Sequence, residues 1–145
     1  KAANTLALLN NAVVHIVSVW SVDHESTLRN SPFFKNSEAK LDTYIKAVET
    51  TCRDDLTQLV DTAKGSGIEM APYELVLVQG QAREILPHYA RSVDAELVVM
   101  GTVARVGIPG FIIGNTAENL LYRLNQAVFA IKPPGFESPI TEQMK

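Results

Sequence analysis

Leu97-Val-Val-Met100-Gly101-Thr102-Val103-Ala104-Arg105-Val106-Gly107-Ile108-Pro109-Gly110-Phe111-Ile112-Ile113-Gly114-Asn115-Thr116-Ala117-Glu118-Asn119 is the stretch that decides the fold. It reads as a buried strand, a glycine-bearing loop and the start of a helix. In an open α/β sheet such a junction accepts small anions. The first backbone N–H groups of a helix have no partner inside it, and the helix dipole favours negative charge there.

Working outward, the chain alternates helix and strand. Residues 2–9 read as the end of a helix and residues 13–20 as a strand. The β-branched content of that strand suits burial on both faces of a parallel sheet. His15 within it reads as a core or edge histidine. Residues 21–36 form a polar connection holding His24 and Pro32, with Phe33 and Phe34 expected to dock it.

Asn36 or Ser37 then caps a helix reaching about Lys64. Its apolar stripe is Leu41, Tyr44, Ile45, Val48, Cys52, Leu56, Leu59, Val60 and Ala63, recurring at three and four residues. Cys52 on that stripe reads as a buried, inert thiol. Gly65-Ser66-Gly67 stops the helix.

Residues 73–78 read as a strand, 82–93 as a helix kinked or tightened at Pro87, and 97–100 as a strand. A helix follows Gly114 to about Leu124, residues 127–131 form the last strand, and residues 136–145 form a polar tail. Alternation of this kind means a parallel sheet with helices on both faces.

Composition limits the function. A formal charge of −3 over 145 residues gives no electrostatic footprint for nucleic acid. No apolar run reaches the length of a membrane span. A single cysteine excludes an internal disulfide. With no signal or transit pattern at Lys1, a soluble cytoplasmic protein is expected. No group of His, Cys and acids has metal-ligand spacing, and no nucleophile elbow or P-loop lysine is present, so no catalytic residue is assigned.

Each position of the opening stretch has a job in a phosphate site. Gly101 lets the backbone turn without a side chain in the ligand's space. Ala104 adds one methyl group where a glycine would let the loop approach. Gly114 allows close approach at the helix start. Asn115 can donate through its amide, and Thr116 offers a hydroxyl. Arg105 can offset Glu118 if it folds back. A competing reading makes Asn115 and Glu118, three apart, a capping box that satisfies the helix start from within.

The spacing resembles that of the universal stress proteins: glycine, two residues, glycine, nine residues, then glycine and a small hydroxyl residue. Gly101, Thr102-Val103, Ala104, Arg105 to Ile113 and Gly114-Asn115-Thr116 match it in full spacing, with Ala104 in place of the second glycine and Asn115 in place of the serine. The run from Arg105 to Glu118 looks most like the C-terminal domain of the tandem, E-type members. The resemblance covers about residues 6–134.

The resemblance implies an open five-stranded parallel α/β sheet of order 3-2-1-4-5, the adenine nucleotide α-hydrolase-like fold. The family's first strand lies at the sheet centre and is not read in this chain, which begins with a helix. The domain, residues 1–135, is therefore expected to take that strand from upstream residues or another segment. The implied ligand is ATP with magnesium, at a degenerate candidate site of Val19, Met100, Gly101, Ala104, Arg105, Gly114, Asn115 and Thr116. The implied partner contact is a homodimer or a tandem-domain pairing through residues 127–131. The leading expectation is a non-enzymatic stress-response protein acting by ligand- or partner-dependent signalling. Two alternatives stay open: an ATP binder with slow ATPase activity, and a carrier of a small molecule or lipid.

Overall fold

A computed structural model describes residues 1–22, 27, 38–102 and 114–132. The chain divides into two compact units, Lys1–Gln81 and Ala82–Lys145.

In the first unit, α1 (Ala2–Asn10) leads into β1 (Val14–Trp20), and α2 (Glu38–Gly65) leads into β2 (Tyr73–Gln79). Helix α1 ends because Asn11 takes a left-handed conformation, φ 52°, which asparagine tolerates better than most residues. The turn is closed by the Ala12 amide donating to the Ala7 carbonyl at 2.9 Å. Helix α2 ends at Gly65, and Gly67 takes φ 72°. There the missing Cβ matters, because L side chains rarely adopt that backbone.

β1 and β2 pair in parallel from Val14 opposite Tyr73 to Trp20 opposite Gln79. The Val14 amide bonds the Pro72 carbonyl at one end and the Gly80 amide bonds the Trp20 carbonyl at the other, each at 2.8 Å. Both strands pack against α2, and α1 packs on β1. Ala7, Trp20, Leu41, Leu56, Val60 and Ala71 are the buried hydrophobic residues of this unit among those described. The Lys64 ammonium lies 5.2 Å from the centroid of the Tyr73 ring, linking the end of α2 to the start of β2.

Several side chains depart from the sequence expectation. The α2 stripe is narrower than its apolar list. Leu41, Leu56 and Val60 are buried and Cys52 is half-buried, but Tyr44 and Leu59 are 55% and 60% exposed. The two exposed residues stand on the flank of the stripe, three positions from Leu41 and Leu56, where the helix has turned away from the strands. β1 is half-buried from Val14 to Val19, not buried on both faces. Among the described residues its only hydrogen-bonded neighbour is β2.

In the second unit, α3 (Ala82–Ser92) leads into β3 (Leu97–Gly101), and α4 (Asn115–Arg123) leads into β4 (Ala127–Ile131). α3 runs through a buried Pro87 and ends in a turn where Asp94 takes φ 48° and the Ala95 amide bonds the Ala90 carbonyl at 2.9 Å. β3 and β4 pair in parallel from Leu97 opposite Ala127 to Gly101 opposite Ile131. α3 packs on α4, where Ala90, Ala117 and Leu120 are buried. Phe33, Phe34 and the residues offered as caps of α2, Asn36 and Ser37, lie outside the described residues, as does the tail after Lys132.

Candidate functional site

The candidate site is the junction where β3 and β4 end and α4 begins. Parallel pairing brings the ends of β3 and β4 side by side, with Gly101 opposite Ile131. Thr102 continues the ladder: its amide donates to the Ile131 carbonyl at 3.2 Å. Its own carbonyl accepts the Gly114 amide at 2.6 Å. One residue therefore joins both strand ends to the start of the helix.

Gly114 is the N-cap of α4, in extended conformation with φ −80° and ψ 150°. The helix closes its first turn with the Glu118 amide on the Gly114 carbonyl at 2.9 Å. This corrects the capping-box reading. The box needs Asn115 at the cap and Glu118 three residues on. With Gly114 at the cap, Asn115 is the first helical residue and Glu118 the fourth, so the register is off by one. A glycine cap has no side chain to offer the first-turn N–H groups, which stay suited to an anion.

Around this junction, Met100 is half-buried in β3 and Gly101 is exposed at its end. A Cβ built on Gly101 would meet nothing within 4 Å, so the space beside it is open. Thr116 is exposed in the first turn of α4, with the exposed Glu118 carboxylate two residues on. The structure thus brings together Met100, Gly101, Gly114, Asn115 and Thr116 of the sequence-derived site. Val19 belongs to the first unit, where it pairs with Val78. Ala104 and Arg105 lie outside the described residues.

Sequence reasoning passed over Thr102. Its side chain is only 2% exposed, and its hydroxyl has no hydrogen-bond partner. The available signal was a hydroxyl residue directly after the glycine that ends a strand, at the C-terminal edge where α/β sheets bind ligands.

Outside the junction, His15 and Glu74 approach at 3.5 Å between Nδ1 and Oε2, side by side in the β1–β2 register. The acid beside His15 comes from the neighbouring strand, which spacing along β1 alone does not show. His88 is exposed in α3. Among the described residues no group of three His, Cys, Asp or Glu side chains could hold a metal ion, and no helix is long and apolar enough to cross a membrane.

Comparison with known proteins fits this architecture. The universal stress protein family model matches residues 1–132. The universal stress protein E homolog of Haemophilus influenzae is 40% identical over 55 residues, a match covering 38% of this chain and 18% of that protein. Among solved structures, the universal stress protein UspA of Lactobacillus plantarum superposes with a TM-score of 0.66 at 15% identity, over 88% of this chain and 82% of that one. A universal stress protein in complex with cAMP superposes with a TM-score of 0.52 at 21% identity, over 90% of this chain and 82% of that one. The chain belongs to the universal stress protein family.

Proposed function

We propose that this chain is the C-terminal domain of a tandem, E-type stress-response protein that senses a phosphate-bearing ligand without turning it over. The observation that carries this reading is the junction itself. The end of β3, the glycine cap of α4 and an open space at Gly101 meet there, which is the setting in which helix N–H groups hold an anion. ATP with magnesium is the first ligand to test. cAMP is the second, since a solved neighbour is a universal stress protein in complex with it. The reading is non-enzymatic, and release of inorganic phosphate from ATP is what tells it from the ATPase alternative.

The same reading covers the rest of the domain. In the family order 3-2-1-4-5, β1 to β4 take positions 2, 3, 4 and 5. Its support is that both pairings found here, β1 with β2 and β3 with β4, join neighbours in that order. The exposed Phe129 and Ile131 on β4 make residues 127–131 the proposed contact for a second copy or a tandem domain. A cytoplasmic location fits the single cysteine.

Calorimetric titration of the full protein with ATP and magnesium, and separately with cAMP, tests the ligand. Saturable heat with either one, and no release of inorganic phosphate over hours, is the expected result. No heat with both sinks the sensing role, and steady phosphate release favours the ATPase alternative.

A further inference from the structure

We infer that the open edge of β2 pairs, antiparallel, with β2 of a second copy of this chain. The contact lies in the first unit and is separate from the one proposed for residues 127–131.

The ladder decides which backbone groups the edge offers. The Val14 amide bonds the Pro72 carbonyl and the Gly80 amide bonds the Trp20 carbonyl, with Val14 opposite Tyr73 and Trp20 opposite Gln79. In a parallel pair, a bonding residue uses the groups just before and just after the residue it faces. Pro72, Glu74, Val76, Val78 and Gly80 therefore turn their backbone groups to β1. The N–H and C=O of Tyr73, Leu75 and Leu77 turn the other way. Among the described residues no strand pairs with that side.

The strand carries none of the devices that keep an edge from pairing. Natural sheets blunt an edge with proline, lysine, a bulge or very short length. β2 spans seven residues, Tyr-Glu-Leu-Val-Leu-Val-Gln, without proline or a basic residue. All of it faces β1 in unbroken register, so no bulge turns it aside. Leu75, one of the outward-bonding residues, is 40% exposed.

A second copy is the occupant that the strand's own sequence fits. Antiparallel pairing about a two-fold axis at Leu75 sets Tyr73 against the partner's Leu77, and an axis at Val76 sets Leu75 against it. Either way outward groups meet outward groups, and the contact closes on itself. The one charged residue, Glu74, then falls opposite the partner's Val76 or the partner's Val78. No like charges face each other, whereas an axis at Glu74 would set two carboxylates together. On its own sheet Glu74 has His15 beside it, 3.5 Å away. Either permitted axis also brings the exposed Leu75 against a leucine of the partner, removing apolar area from water.

The test follows amide hydrogen exchange by NMR on the full chain, dilute and concentrated. The Glu74, Val76 and Val78 amides are bonded to β1 and should exchange slowly in both samples. The Tyr73, Leu75 and Leu77 amides should exchange fast when dilute and at least roughly 10-fold more slowly when concentrated. Leu75→Pro removes an N–H that β1 does not use, and an edge strand tolerates proline there. It should abolish the concentration-dependent protection at Tyr73 and Leu77. If Leu75→Pro does not fold, Leu75→Lys, which puts a charge on the edge, is read in its place. Phe129→Lys disturbs the contact proposed for residues 127–131 and should leave the protection of β2 unchanged.

Fast exchange of the three outward amides at both concentrations overturns the inference. So does protection that is the same at both, because the edge is then covered from within one chain. Protection lost in Phe129→Lys but kept in Leu75→Pro also overturns it, since it then follows from the other contact.

Discussion

Asn4 in the first unit and Thr102 in the second are both polar and both buried, at 8% and 2% exposure. Asn4 donates from Nδ2 to the Glu69 carbonyl and accepts the Ala71 amide at Oδ1, each at 2.9 Å. It ties α1 to the segment entering β2. Thr102 sits at an equally enclosed point and bonds nothing through its side chain. A buried polar group with every bond made is a fastener. One with its bond left open lowers stability, so the same desolvation cost is offset in one unit and left standing in the other.

The comparison can be sharpened by substitution, read by urea denaturation. Trp20, the chain's one tryptophan, reports on the first unit, and circular dichroism reports on all helices. Leu41→Ala sets the scale. Leu41 is 1% exposed, and its truncation should cost about 2–5 kcal/mol through lost burial and a cavity. A Trp20 transition that does not move would mean that α2 is not what holds β1.

Asn4→Ala should cost about 1–3 kcal/mol, because it leaves the Glu69 carbonyl and the Ala71 amide without partners. Thr102→Val should be neutral or stabilising by up to about 1 kcal/mol in the absence of ligand. Equal losses at both positions would erase the contrast between them. The control is Arg53→Ala, which breaks an exposed 2.8 Å pair with Glu49 one turn away on α2. It should cost at most about 0.5 kcal/mol, with most of that removed by added salt.

Much of the architecture was legible in the sequence because it rests on local patterns. β-branched runs gave the strands, and the spacing from Leu41 to Val60 gave α2. Gly65 to Gly67 marked its end through one position that needs positive φ. What escaped depends on register between distant segments. Glu74 meets His15 only after two strands align, and the Thr102 backbone bonds Ile131 and Gly114 only after β3, β4 and the start of α4 come together. The helix read as following Gly114 is where the structure has it, and only the competing cap assignment fails. Asn115 and Glu118 carry the residue types of a capping box, but the extended backbone of Gly114 starts the helix one position earlier. The exposure of Tyr44 and Leu59 was hidden for a similar reason. An apolar residue at three-residue spacing can stand at the rim of a stripe as well as on it.

The bond between the Thr102 carbonyl and the Gly114 amide has a mechanical consequence. Because the Thr102 amide is also bonded to the Ile131 carbonyl, a pull on the start of α4 passes through two backbone bonds to the end of β4. The helix start and both strand ends therefore shift together or not at all.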